Sequence, residues 1–282
     1  MIADVNVNLS RWPFRRTPCD ELPRLVATLK KYGVEQAWAG SLDGLFHRDL
    51  GGVNLRLSET CRQERSVQLI PFGSVNPRLP DWQEDLRRCA EQYRMPGIRL
   101  HPNYHGYRLD EPVFAQLLDL AAKRRLIVQL AVRMDDVRVQ HPLMRIPDVD
   151  LKPLAGLVES RPGLRLVLLN GLATIRGAEL RQLANVGRVW FDIGMKEGVG
   201  GVADLLNTVP AERVLFGSHL PLFCLESALL KMQEAGLDEA RQRAIERENA
   251  RQLLAGSSAQ ADRASAVRGQ LTWASRMPLS ST

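Results

Sequence analysis

The sequence holds no run of about 18 apolar residues, the length a transmembrane helix needs, and its opening MIADVNVNLSRWPF lacks the basic-then-apolar order of a secretory signal. A cytoplasmic protein without a membrane partner is expected. Cysteine is scarce as well. Cys19, Cys61, Cys89 and Cys224 form no CxxC pair and have no histidine at zinc-finger spacing, so neither a disulfide framework nor a structural zinc is expected. Only six of the 38 basic residues are lysine, and the arginines are scattered among 32 acids. The net charge of +6 therefore forms no basic stripe, and a nucleic-acid partner is not expected. A glycine-rich phosphate turn is missing too: the first apolar run ends in Asn8-Leu9-Ser10-Arg11-Trp12-Pro13, which argues against a doubly wound nucleotide fold.

What is present is the composition of a folded soluble chain, 45% hydrophobic and 25% charged over 282 residues. That length suits one α/β barrel, which needs about 250 residues, or two average domains. Short apolar runs alternate with amphipathic stretches throughout, the pattern of a parallel sheet covered by helices. Eight strands are predicted at Asp4–Leu9, Val34–Ala39, Val67–Val75, Gly97–Leu100, Ile127–Val132, Leu166–Leu169, Val189–Ile193 and Val214–Phe216. Helices follow each one. Leu22, Leu25, Val26 and Leu29 mark the first helical stripe, and Phe114, Leu117, Leu118 and Ala121 the fourth. The expectation is a (β/α)8 TIM barrel over 1–256 with extra C-terminal helices around Leu237–Leu254 packed on its outside. Residues 257–282, rich in Ser, Ala, Gln, Arg and Thr, read as a mobile tail.

Barrel chemistry sits at the carboxyl ends of the strands, and those ends are polar here. Asp4, Asn6 and Asn8 alternate with apolar neighbours and are expected to line the interior; a half-exposed strand would show the same alternation. In Gly97-Ile98-Arg99-Leu100-His101-Pro102-Asn103 the proline ends the strand and leaves the His101 imidazole at the mouth. Taken alone, His101 reads better as a histidine bonded to a neighbouring carbonyl. The fifth strand offers Gln129, Ala131 and Arg133, followed by a long loop with Asp135, Asp136, Arg138 and His141 that reads as a lid or binding loop. The remaining strands end in Asn170-Gly171, in Asp192 and in Gly217-Ser218-His219-Leu220-Pro221. Together they describe a pocket for a small molecule.

From Asp4 to Leu254 the chain resembles the amidohydrolase-related family of the metal-dependent hydrolase superfamily. Asp4-Val5-Asn6-Val7-Asn8 stands where that family has Asp-x-His-x-His. Gly97 to Pro102 is similar to its Gly-Ile-Lys-Leu-His-Pro, Arg213 to Pro221 to its Arg-Val-Leu-Phe-Gly-Ser-Asp-x-Pro, and Glu248 to Leu254 to its closing Glu-Asn-Ala-x-x-Leu-Leu. The resemblance implies a barrel that hydrolyses amides or lactones or decarboxylates aromatic acids, with one divalent metal on four histidines and an aspartate. The matching positions here are Asn6, Asn8, Ala131, Asn170 and His219, and all five differ. Three neutral amides and one imidazole suit zinc poorly. No cofactor is expected, a weakly held divalent cation being the one alternative.

The expectation is then an enzyme acting on a small polar or carboxylated compound without the usual metal. His219 stands in place of the family's aspartate base, partnered by His101. Arg99 or Arg133 would grip a substrate carboxylate, and Asn6, Asn8 and Asn170 would bond a carbonyl or oxyanion, with Asn103, Gln129 and Asp192 completing the lining. The alternative is a catalytically inactive barrel that binds a ligand or serves as a scaffold. A homodimer is expected because relatives often pair.

Overall fold

The computed structural model describes residues 1–256. The proposed tail 257–282 lies outside the described residues. Eight parallel strands are hydrogen-bonded in chain order: β1 (Ile2–Leu9), β2 (Val34–Ser41), β3 (Gln68–Ser74), β4 (Gly97–Leu100), β5 (Ile127–Ala131), β6 (Arg165–Leu169), β7 (Arg188–Asp192) and β8 (Val214–Leu215). The ring closes where Val5 N donates to Phe216 O at 2.9 Å and Asn8 N to Leu220 O at 2.8 Å. This is a (β/α)8 TIM barrel.

Apolar stripes hold the helices to the sheet. In α1 (Leu22–Lys31) it is Leu25, Val26 and Leu29 that are buried, the three- and four-residue spacing that puts one helix face on the strands. The other layers are α2 (Leu50–Gln63), α3 (Trp82–Arg87), the single turn α4 (Pro102–His105), α5 (Pro112–Lys123), α6 (Leu154–Glu159), α7 (Gly177–Asn185), α8 (Gly201–Leu206) and α9 (Leu225–Glu234). Strand side chains divide by parity into two cores. Val7, Leu9, Ala37, Ile98, Leu100, Val128 and Phe191 face the helices. Val5, Trp38, Phe72, Val167, Trp190 and Leu215 fill the barrel.

Two expectations need correction. Asp4, Asn6 and Asn8 do not share one uninterrupted face. Asp4 pairs with Ala37 and Val7 with Ala39, so β1 carries one extra residue, a bulge. Ala3 and Val5 point inward before it, Asn6 and Asn8 after it, and the bulge turns the Val5 carbonyl into the barrel, where Gln129 Nε2 donates to it at 2.8 Å. Nor does the C-terminal helical segment lie only outside. After α10 (Glu239–Arg243), Ile245 packs in the outer core, but Ala250 and Leu253 enter the inner one. There Asn249 Nδ2 donates to Ala211 O and Val214 O at 2.7 and 2.8 Å, and Leu253 O accepts from Arg165. The segment plugs the amino-terminal end because the inner core needs a floor there. Among the described residues no helix is long and apolar enough to cross a membrane.

Candidate active site

At the carboxyl end of the barrel the eighth strand exit turns sharply, with His219 at φ +60°, and carries its imidazole, fully buried, to the barrel axis. Three amides surround it. Asn170 Nδ2 lies 3.2 Å and Asn8 Nδ2 3.4 Å from Nδ1, and Asn6 Oδ1 lies 3.3 Å from the same atom. Nε2 lies 2.6 Å from Met134 O, which accepts only, so Nε2 carries the proton and Nδ1 receives the hydrogens of Asn170 and Asn8, while Asn6 Oδ1, itself an acceptor, stands against it without a hydrogen between them. Burial pushes the imidazole down to about 4, against the Met134 bond and assisted by the Arg99 and Arg15 cations. The ring is neutral at pH 7 and both its nitrogens are engaged.

The network extends outward. Asp192 Oδ2 accepts from Asn6 Nδ2 at 2.8 Å and Oδ1 from Asn170 N at 2.6 Å. Burial lifts this carboxyl to about 6, opposed by those two bonds and helped by Asp4. A Cβ at Gly217 would stand 2.5 Å from Asp192 Oδ2, so glycine is what fits at this exit from β8. Asp4 Oδ1 accepts from Asn6 N and Ser218 N, both at 3.0 Å, and burial raises its carboxyl also.

Arg99 is inside the barrel with every donor engaged. Nε donates to Gln129 Oε1, Nη1 to Val7 O and Asn8 Oδ1, and Nη2 to Val5 O and Trp38 O. A Cβ at Gly40 would meet its side chain at 2.7–2.9 Å. Arg133 is clamped to Asp148 by two bonds of 2.7 and 2.5 Å, and Asn103 Nδ2 donates to Val132 O and Pro147 O. Asn6, Asn8, Gln129, Asn170, Asp192 and His219 therefore come together around one centre, bonded mainly to one another. Arg99 joins them from below, whereas Arg133 and Asn103 belong to the rim.

His101 differs from all of these. It is fully buried at the exit of β4, and neither ring nitrogen has a partner. Burial holds its titration well below the ordinary histidine value, reinforced by His105, Arg99 and His219. His105, 5.9 Å away between ring centroids, is bonded through Nε2 to Gly44 O, which leaves its Nδ1 unpaired. Ser74 Oγ and Trp12 Nε1 are also buried without partners. Trp12 packs against Phe14, Phe46 and Tyr104, an aromatic cap over the mouth. Arg15 straps three loops together, donating to Asp135 Oδ1 at 3.1 Å and Leu222 O at 3.3 Å. Sequence reasoning missed Trp12, Ser74 and this strap. Trp12-Pro13 directly after β1 was the available signal; nothing local marks the partners of Arg15.

The centre does not fit a catalytic divalent metal. The positions that the family resemblance matches to its ligands place amide hydrogens and an imidazole against each other, and Ala131 supplies no donor atom at all. Among the described residues no three His, Cys, Asp or Glu side chains gather as a cation site.

A family model described as amidohydrolase matches residues 43–255. The chain belongs to the amidohydrolase family. Solved structures of similar fold include 2,6-dihydroxybenzoate decarboxylase from Rhizobium, at TM-score 0.71 and 15% identity over 90% of this chain and 99% of that one. 5-Carboxyvanillate decarboxylase from Sphingomonas paucimobilis has TM-score 0.66 and 14% identity over 81% of each chain. 4-Oxalomesaconate hydratase from Rhodopseudomonas palustris has TM-score 0.66 and 13% identity over 96% of this chain and all of the other. At these identities the likeness establishes the shared barrel. No curated protein matches in sequence.

Proposed function

We propose that this amidohydrolase-fold chain is a metal-independent enzyme that hydrolyses a small polar or carboxylated compound at the barrel mouth, with His101 rather than His219 handling the proton. The observation that carries this reading is the fully buried His101 imidazole with two unpaired nitrogens. A buried polar group without a partner is destabilising by roughly 1–3 kcal/mol, and native proteins retain such groups where a ligand or water completes them. His219 has no comparable freedom, since each of its nitrogens already faces protein groups.

The protonation state favours hydrolysis over decarboxylation. A ring held neutral at pH 7 can take a proton from an attacking water and return it to the leaving group. Supplying a proton to a carbanion requires the imidazolium already in the resting state, which burial opposes, whereas hydrolysis calls first on the neutral ring and forms the imidazolium only in passing. Trp12 Nε1 and Ser74 Oγ are among the other buried groups without partners, and each can donate to a substrate carbonyl. Neither Arg99 nor Arg133 is free to grip a carboxylate, given their bonds.

A second reading, a barrel that binds its ligand without converting it, is favoured by the saturated His219 centre and the strapped mouth. Assay of lactones, amides and aromatic acids, with chelator and with added metals, separates the two. Turnover that persists in chelator and falls about 10²- to 10⁴-fold in His101→Asn supports the enzyme. Compounds that bind and are recovered unchanged support the second reading, and turnover that requires added metal overturns metal independence.

A further inference from the structure

We infer a second ligand site at the flank of the barrel, between α1 and α2, shaped for a small amphiphilic zwitterion of the amino-acid class. A cavity of about 630 Å³ opens there, within the range of about 300–1,000 Å³ usual for small-molecule sites. Its walls are apolar, from Leu22 and Leu25 on α1 and Val53 and Leu57 on α2. Its polar lining includes the Ser10 and Ser41 hydroxyls, 3.1 Å apart, and Asn8. Ser10 holds a left-handed backbone, φ +70°, a conformation that costs a non-glycine residue about 1–3 kcal/mol and is concentrated at ligand sites.

The charges decide the class. Two rim acids are occupied, Glu21 by Arg11 and Asp20 by Arg16. Arg56 and the half-buried Asp43 also line the cavity, and among the described residues neither side chain forms an ion pair or hydrogen bond. One free cation and one free carboxylate beside an apolar wall complement a carboxylate, an ammonium and an apolar body carried by one molecule. A simple anion would leave Asp43 facing it uncompensated, and a simple cation would do the same with Arg56. His101 does not line this cavity, Asn8 is the residue it shares with the His219 centre, and the proposal does not depend on the proposed hydrolysis.

The test is titration calorimetry of the full chain with L-phenylalanine, 3-phenylpropanoate and 2-phenylethylamine, with amide NMR shifts to locate binding. L-Phenylalanine should bind at least tenfold more tightly than either half-molecule, shifting the Ser10, Ser41 and Thr60 amides and leaving the Trp12 indole unmoved. Arg56→Gln and Asp43→Asn, both rim substitutions whose folding circular dichroism checks, should each weaken it about tenfold or more. Absence of binding at millimolar concentration, equal affinity for the half-molecules, unchanged affinity in both folded variants, or shifts centred on Trp12 would each overturn the site.

Discussion

Replacing His219 by glutamine should remove a specific piece of the protein's acid sensitivity. The fold holds the neutral ring, with the imidazole lowered from 6.5 to about 4. Between those values the unfolded chain binds a proton that the folded chain refuses, so stability contributed by His219 is full above pH 6.5 and is lost as pH falls toward 4. With 1.36 kcal/mol per pKa unit, the loss on going from pH 7 to pH 5 is about 2 kcal/mol, and to pH 4 about 3 kcal/mol. Asp192 works in the opposite sense. Its carboxyl is raised to about 6, so its ionised form destabilises the fold above that pH and the penalty fades on acidification. Total stability therefore conceals the His219 effect, and the difference between wild type and variant exposes it. Glutamine suits the comparison, because its amide can still donate to Met134 O and accept from Asn170 without titrating. Urea unfolding of both proteins at pH 7 and pH 5 should show the wild-type advantage shrinking by about 2 kcal/mol. Parallel pH dependence of the two, within about 0.5 kcal/mol, would refute the neutral, fully bonded imidazole.

Arg99→Lys should destabilise the protein by about 3 kcal/mol or more in urea unfolding, since an ammonium offers three donors at one point and leaves at least two of five converging oxygens unpaired; a change below about 1 kcal/mol would show that the inner oxygens find water. Elemental analysis after dialysis should find no stoichiometric zinc or manganese, because amide hydrogens face the centre. One retained equivalent would sink that reading and direct attention to His101 and His105.

The barrel was legible because its signals are periodic and local. Leu25, Val26 and Leu29 are buried as their spacing demands, and each predicted strand exists within one or two residues of its predicted ends. Pro102 does end β4 and leave His101 at the mouth. The β1 bulge was not legible, since alternation in Asp4-Val5-Asn6-Val7-Asn8 looks perfect and only the register against β2 reveals the extra residue. Arg99 read as a substrate clamp because an arginine at a strand end normally faces a ligand. Its actual partners are carbonyls on β1 and β2, up to 94 positions away in sequence.

That placement of Arg99 explains how the centre holds together without a cation bridging its ligands. An ion at a barrel mouth gathers inward-pointing oxygens that would otherwise repel one another. The guanidinium gathers five, Val5 O, Val7 O, Trp38 O, Asn8 Oδ1 and Gln129 Oε1, and the bulge in β1 is what turns Val5 O toward it. By accepting from Arg99, Asn8 Oδ1 fixes its amide so that Nδ2 faces His219. Asp192 fixes Asn6 in the same way from the other side. Burial leaves Arg99 lowered to about 9, still a cation at neutral pH, balanced at a distance by Asp4 and Asp192. Orientation thus passes from a fixed charge through the Asn8 amide to one imidazole, and most polar groups of the centre are spent on one another. The reactive capacity that remains lies at the one buried imidazole left outside this network, His101, which is why the proton chemistry is assigned there.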